Sequence, residues 1–154
     1  MADRRSLAML TQSEQSDALL REAMERSGQR FTTQRAAVFR FLHATDTHPT
    51  ADDVYRNVRA DLPGISLGTV YKSLETLVGC GLARKLASGN SSARYDGRMD
   101  PHYHARCLEC GRLRDVPGQV KPESVVDVPV MMDGFAVTEL RLEVVGYCDG
   151  CRPD

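Results

Sequence analysis

Two Cys-x-x-Cys pairs in the last third of the chain constrain its fold more than any other feature. Cys107 and Cys110 form the first pair, and Cys148 and Cys151 form the second. A tight turn lets the two thiolates of a pair bind one ion, and two such pairs complete the tetrahedron of a structural zinc site. Because residues 111–147 separate the pairs, this site would fasten a final strand to an earlier hairpin. The alternative is a pair of redox-active disulfides.

Histidines and carboxylates near the first pair indicate a second metal site. His102 and His104 are two residues apart, so they point the same way from a strand. Asp96 and Asp115 lie on flanking segments that two hairpins would bring close, and His48 lies far upstream. Three imidazoles and two carboxylates form a nitrogen and oxygen set that suits Fe(II) or Mn(II), with one octahedral position left open.

The composition indicates a soluble chain with one core or two small domains in its 154 residues. It has no apolar run near the ~18 residues of a membrane span and no secretory signal, so we expect a cytoplasmic protein that binds no membrane. In a reducing cytosol, paired cysteines are more often metal ligands than disulfides. Residues 1–95 carry 13 Lys and Arg against 10 Asp and Glu, and residues 96–154 carry 7 against 11. This asymmetry favours two modules with different partners.

The pattern of the first module predicts four helices followed by a two-stranded hairpin, which is a winged helix-turn-helix. The helix starts are predicted from caps at Thr11, at Thr32 or Thr33, at Thr50 and at Ser66. Strands are predicted over residues 82–87 and 92–96, with a turn at 89–91. Cys80, at the end of the fourth helix, is expected to be a small buried side chain.

The second module is predicted to be α/β and to dimerise, so the fold class is α+β. We expect a hairpin of residues 102–107 and 112–116, and one long strand over residues 135–147 that suits a sheet paired across a subunit interface. Prolines 117, 122 and 129 rule out one uninterrupted helix between them. The predicted domains are a loose arm (1–15), a DNA-binding domain (16–92), a hinge (93–98) and a dimerisation and zinc-binding domain (99–154).

The fourth helix is the predicted DNA-reading helix. Its outward side chains can contact phosphates and a thymine methyl, and three arginines elsewhere can hold the DNA backbone. The helix residues are Thr69, Tyr71, Lys72 and Ser73, and the arginines are Arg30, Arg35 and Arg94. The alternative is an ordinary solvated helix face.

Taken together, these motifs resemble the ferric uptake regulator (Fur) superfamily over about residues 16–152. The matching segments occur in family order; they are Arg30-Phe-Thr-Thr-Gln-Arg35, His48-Pro-Thr-Ala-Asp52, Ser66-Leu-Gly-Thr-Val-Tyr71, Gly81-Leu82, Tyr95-Asp96, His102-Tyr-His-Ala-Arg-Cys-Leu-Glu-Cys-Gly111 and Gly146-Tyr-Cys-Asp-Gly-Cys151. The resemblance implies a homodimeric, metal-dependent repressor, not an enzyme, that binds a palindromic A·T-rich operator in double-stranded DNA.

The resemblance also implies roles for the two ligand sets. The four cysteines match the family's structural Zn(II) ligands. His48, Asp96, His102, His104 and Asp115 match the Fe(II) or Mn(II) regulatory site of the peroxide-sensing, PerR-like branch at all five positions. Two features depart from the family pattern: Lys72 replaces a common arginine, and the prolines interrupt the dimerisation helix.

In that branch, the regulatory metal draws the two domains into a closed, DNA-binding form, and peroxide oxidises a ligand, here expected to be His48 or His102. Three alternatives remain from the sequence. One is an iron-responsive repressor that signals by metal occupancy alone, another is a thiol-redox protein, and the weakest is a metal hydrolase, because no general base accompanies the ligands.

Overall fold

The computed structural model describes residues 11–88, 91–118, 131–137 and 142–153. The chain divides into two compact units, Met1–Met99 and Asp100–Asp154. Helices occur in the first unit and small sheets in both, which confirms the predicted α+β class. Within the described ranges, no helix combines the length and apolar character that crossing a bilayer requires.

Each of the four helices begins at the hydroxyl side chain that the sequence predicts as its cap. Their bounds are Gln12–Arg26 (α1), Thr33–Ala44 (α2), Ala51–Asp61 (α3) and Leu67–Gly79 (α4). The caps are Thr11, Thr32, Thr50 and Ser66, and each side chain accepts a hydrogen bond from a backbone N–H of its helix's first turn. Helix α1 therefore starts inside the segment that was expected to be a loose arm to residue 15.

The core of the first unit lies between its helices. Phe39 and Leu42 of α2, Val54 of α3, and Val70 and Leu74 of α4 are almost completely buried. These positions recur at helical spacing, so each helix turns one apolar stripe inward. Helix α4, which is the second helix of the helix-turn-helix, therefore packs against both α2 and α3.

A two-stranded hairpin completes the winged helix. Strands β1 (Arg84–Ser88) and β2 (Ser91–Asp96) are antiparallel and pair Lys85 with Tyr95. A further β-bridge joins Arg94 to Thr50, and the backbone N–H of Tyr95 donates to the carbonyl of Pro49 at 2.9 Å. The hairpin is therefore attached to the segment that leads into α3.

The second unit contains a three-stranded sheet whose central strand pairs with one neighbour on each side. Strand β3 (His104–Cys107) runs antiparallel to β4 (Leu113–Asp115), which confirms the predicted hairpin, and parallel to β7 (Glu143–Gly146). Arg106 and Glu143 form a two-pronged ion pair across β3 and β7, with N···O distances of 2.7 and 3.0 Å.

The prediction of one long strand over residues 135–147 is wrong. A separate hairpin, β5 (Met131–Met132) and β6 (Phe135–Ala136), turns at Gly134, which has a positive φ of 71°. Residues 137 and 142 lie outside any strand, so β6 and β7 are short strands of different sheets. The alternation of polar and apolar residues is the same for one strand as for two separate ones, so it did not reveal the break. Pro122, Pro129 and residues 89–90 of the predicted turn lie outside the described residues.

Candidate metal centres and recognition helix

The four predicted zinc ligands converge at the end of the three-stranded sheet. Cys107 ends β3, Cys110 follows in the turn to β4, and Cys148 and Cys151 lie just after β7. One sulfur from each residue lies within 4.8 Å of the other three. Four ligands at the usual Zn–S distance lie about 3.8 Å apart, and the Cys110 and Cys148 sulfurs are 3.7 Å apart. The geometry and chemistry of this group therefore fit a tetrahedral zinc ion.

The surrounding backbone favours thiolate at one of these sulfurs. Backbone N–H groups, that of Cys110 foremost and that of Cys148 next, lower the pKa of Cys107 to about 6. Hydrogen bonds with the side chains of Cys148 and Cys110, together with burial, raise the pKa of Cys151 to about 12. Four thiols at such short range cannot all lose their protons unless a cation compensates the charge. A bound zinc ion provides that compensation.

Three predicted ligands of the second metal meet in the C-terminal unit, and we call them the His102 cluster: His102, His104 and Asp115. The Nε2 atoms of His102 and His104 are 2.9 Å apart. Oδ1 of Asp115 lies 3.3 Å from Nε2 of His102 and 3.6 Å from Nε2 of His104. Adjacent octahedral ligands at about 2.1 Å from an ion lie about 3.0 Å apart. The cross-strand pairing of His104 with Asp115 produces this proximity.

The orientation of the His102 ring suits a metal ligand. Its Nδ1 lies 2.8 Å from the carbonyl oxygen of Asp100. Because a carbonyl oxygen can only accept, Nδ1 carries the hydrogen, and in the neutral ring Nε2 then holds the lone pair. Such a hydrogen bond on the far side of the ring is typical of metal-binding histidines.

The other two predicted ligands, His48 and Asp96, lie in the N-terminal unit, and we call them the His48–Asp96 pair. Both are buried, and Nε2 of His48 is 3.9 Å from Oδ2 of Asp96. The other carboxylate oxygen, Oδ1, accepts a hydrogen bond from the backbone N–H of Arg98 at 2.8 Å. This contact orients the Asp96 carboxylate. On the His48 side, the guanidinium of Arg94 donates to the carbonyl of His48 at 2.9 Å.

The residues predicted for the DNA-reading face of α4 differ in exposure. Tyr71 and Lys72 are exposed, and Thr69 is half-buried. The expected outward position of Ser73 is wrong, because this residue is only 2% exposed and its hydroxyl donates to the carbonyl of Thr69 at 2.8 Å. Ser73 is three residues from Val70 and four from Leu77, which places it on the buried stripe despite its polar side chain.

The three predicted backbone-binding arginines differ in their surroundings. Arg30 is exposed, and its carbonyl accepts a hydrogen bond from the Arg35 guanidinium. Arg94 is half-buried and directed towards His48.

Cys80 is half-buried at the C-cap of α4, where we expected a buried side chain.

Two structural features next to Asp96 were not predicted from the sequence. The hydroxyl of buried Tyr95 donates to Oε1 of Glu75 in α4 at 3.1 Å, and the ammonium of Lys85 donates to the same oxygen at 2.7 Å. Gly97 has no room for a side chain, because a Cβ there would lie 2.7 Å from the carbonyl oxygen of Leu42. No local pattern predicts either contact, since both join residues far apart in the sequence.

Comparison with known proteins now identifies the family. The model of the ferric uptake regulator family matches residues 26–145. The peroxide-responsive repressor PerR of Staphylococcus aureus is 37% identical over 139 residues, which cover 90% of each chain.

Solved structures show the same fold. The Helicobacter pylori ferric uptake regulator Fur superposes with a TM-score of 0.72 at 22% identity, covering 94% of this chain and 97% of that one. The Campylobacter jejuni peroxide stress regulator superposes with a TM-score of 0.58 at 26% identity, covering 87% and 97%. The resemblance seen in the motifs is thus confirmed, and the chain belongs to the ferric uptake regulator family.

Proposed function

We propose that this protein is a metal-dependent, homodimeric transcriptional repressor that senses peroxide. One observation carries the proposal: the convergence of two imidazole nitrogens and a carboxylate in the His102 cluster, which contains no sulfur ligand. Family membership and the similarity to a peroxide-responsive repressor support it. The protein is not an enzyme under this proposal, and it acts in the cytoplasm.

The four cysteines are proposed to hold a structural Zn(II). Their sulfurs come from the β3–β4 turn and from the segment after β7. An ion bound there fastens the end of the chain to the first hairpin of the C-terminal unit. The role is structural because a tetrahedral site with four protein ligands has no open position. A thiol-redox role instead requires free, rapidly exchanging cysteines, so zinc content and thiol reactivity distinguish the two functions.

The His102 cluster and the His48–Asp96 pair are proposed to bind one Fe(II) or Mn(II) ion together. Neither group alone supplies enough ligands for an octahedral ion, while together they offer three nitrogens and two carboxylates. Only six residues of chain lead from Asp96 to His102, a reach of at most about 21 Å. We call the form in which one ion binds both groups the closed form. The ion shifts the population towards the closed form only to the extent that it binds this form more tightly than the open one.

The DNA-binding part of the proposal assigns α4 to the major groove of a palindromic, A·T-rich operator. Tyr71, Lys72 and Thr69 are proposed to contact it, with Arg30, Arg35 and Arg94 near the DNA backbone. We propose residues 16–92 as the DNA-binding domain, residues 93–98 as the hinge and residues 99–154 as the dimerisation domain. A homodimer presents two copies of α4, which matches the twofold symmetry of a palindrome.

Peroxide is proposed to end repression by oxidising His48 or His102. Bound Fe(II) supplies the redox chemistry that activates peroxide. The net change at the protein is a two-electron oxidation of one imidazole, which gains an oxygen atom while hydrogen peroxide is reduced to water. An oxidised ring binds metal poorly, so the ion no longer joins the two ligand groups. DNA affinity then falls to that of the metal-free protein.

The experiment treats the Fe(II) and Mn(II) proteins with peroxide and measures peptide masses and operator binding. We expect one added oxygen on a peptide containing His48 or His102, with loss of DNA binding, only in the Fe(II) protein. His43, which is outside both ligand groups and packs on Phe39, is the internal control and should stay unmodified. Oxidation confined to cysteine or methionine would refute the peroxide mechanism. Release from DNA on iron removal alone, with no peroxide effect, would favour an iron-responsive repressor.

A further inference from the structure

The buried Tyr95 hydroxyl joins the recognition helix to the strand that carries Asp96. We propose that the Tyr95–Glu75 hydrogen bond is a positioning contact through which metal binding at the His48–Asp96 pair sets the orientation of α4. This inference rests on the proposed function, because it assumes that metal binding increases DNA affinity.

Strand alternation gives one segment of β2 two separate contacts. Asp96 and Tyr95 are neighbours, so their side chains leave the strand on opposite faces. Asp96 lies beside His48, while Tyr95, which is 1% exposed, reaches Glu75. A displacement of β2 that follows from metal binding at Asp96 therefore also moves the Tyr95 hydroxyl.

The segment that contains His48 is attached to β2 by backbone as well as side-chain contacts. The N–H of Tyr95 donates to the Pro49 carbonyl at 2.9 Å, and the Arg94 guanidinium donates to the His48 carbonyl at 2.9 Å. The Thr50–Arg94 bridge adds a third link. Because these contacts join residues 48–50 to residues 94–95, directly beside the two ligands, His48 and β2 are constrained to move together.

Glu75 is well placed to pass such a movement to the DNA-reading face. It lies one turn after Tyr71 on α4, so the two side chains are on the same side of the helix. Its Oε1 also accepts from Lys85 of β1 at 2.7 Å, which attaches the helix to the wing. One carboxylate oxygen of Glu75 in α4 therefore accepts hydrogen bonds from both strands of the hairpin, β1 and β2.

The test compares operator affinity with and without Mn(II) in wild type, Tyr95→Phe and Glu75→Gln. Tyr95→Phe removes only the hydroxyl, and Glu75→Gln keeps the shape of the side chain while it removes the charge that strengthens the bond. Tyr55→Phe is the matched control, since Tyr55 lies on α3 and packs against Arg59. Circular dichroism and thermal unfolding check that every variant is folded.

The quantity of interest is the ratio of the two operator affinities, with Mn(II) and without it. We expect Tyr95→Phe to lower this ratio about fivefold, the factor equivalent to about 1 kcal/mol of a net hydrogen bond. Glu75→Gln should lower it in the same direction, and Tyr55→Phe should leave it unchanged. By thermodynamic linkage, operator DNA should then raise the Mn(II) affinity of Tyr95→Phe by a correspondingly smaller factor than in wild type.

A purely structural bond predicts a different result. Its removal lowers both affinities by the same factor and leaves the ratio intact, which would overturn this inference while the proposed function stands. An unchanged affinity in both conditions would overturn it equally. If Mn(II) does not raise the operator affinity of the wild type at all, the proposed function fails, and the coupling inference fails with it.

Discussion

Replacement of Gly97 by alanine should destabilise the N-terminal unit, because the backbone of α2 occupies the space a side chain needs. A Cβ at this position would lie 2.7 Å from the carbonyl oxygen of Leu42, 3.0 Å from its carbonyl carbon and 3.2 Å from its Cγ. Contacts between carbon atoms are favourable at about 3.5–4.0 Å. The chain at residue 97 or the end of α2 must therefore move by several tenths of an ångström.

Overpacking of this kind costs about 1–3 kcal/mol. With a urea dependence of about 2 kcal/mol per molar, a loss of 2 kcal/mol moves the unfolding midpoint down by about 1 M. Far-UV circular dichroism is the appropriate probe, since all four described helices belong to the N-terminal unit. Gly64→Ala is the matched control, because a Cβ there meets nothing within 4 Å. It should be neutral or slightly stabilising.

The same substitution should also affect metal binding, since Gly97 directly follows Asp96. A displaced Asp96 carboxylate is expected to weaken Mn(II) binding about tenfold, the lower end of the effect of altering a ligand's support. Calorimetric titration of Gly97→Ala and Gly64→Ala with Mn(II) would measure this loss of affinity.

A urea unfolding midpoint for Gly97→Ala within experimental error of wild type would refute the steric reasoning, because it would mean that the Leu42 backbone moves without a cost in stability.

Three further predictions concern the zinc site, a helix cap and the core. Cys110→Ser should lose bound zinc and unfold at a lower temperature, while Cys80→Ser should retain one zinc per chain by atomic absorption; zinc retained in Cys110→Ser would contradict the assignment. Asp53 is the capping-box partner of Thr50, the N-cap of α3, and Asp53→Ala should lower the free energy of unfolding by about 0.5–1 kcal/mol at pH 7. The hydrogen bond from the Thr50 backbone N–H is the main cause that holds the pKa of Asp53 below its ordinary 3.8. The ionised Asp53 carboxylate therefore contributes its full stabilisation of the folded state above pH 3.8. The difference from wild type should therefore vanish as the pH falls through the lowered pKa, and a difference that persists there would exclude the ionised cap. Leu74→Ala, at a fully buried position, should cost about 2–5 kcal/mol in urea unfolding, and a smaller loss would mean that α4 collapses into the cavity.

Local signals in the sequence predicted most of the first unit correctly. A hydroxyl residue before an apolar stripe satisfies the first N–H groups of a helix whatever the tertiary context, which is why Thr11, Thr50 and Ser66 marked the helix starts. Predictions failed where polarity was taken as a guide to exposure. Ser73 is buried because its hydroxyl is satisfied within its own helix, by the Thr69 carbonyl.

The sequence alone predicted the two candidate sets of metal ligands in this protein. Cys-x-x-Cys spacing, a His-x-His that leads into β3 and the choice of nitrogen and oxygen ligands depend on covalent connection and side-chain type, which are local properties. Only the tertiary structure decided which atoms support those ligands. The Tyr95–Glu75 bond and the close approach of residue 97 to Leu42 join segments separated by 20 residues or more. Such contacts depend on how helices and strands pack, and packing is settled by the whole core and not by any short segment.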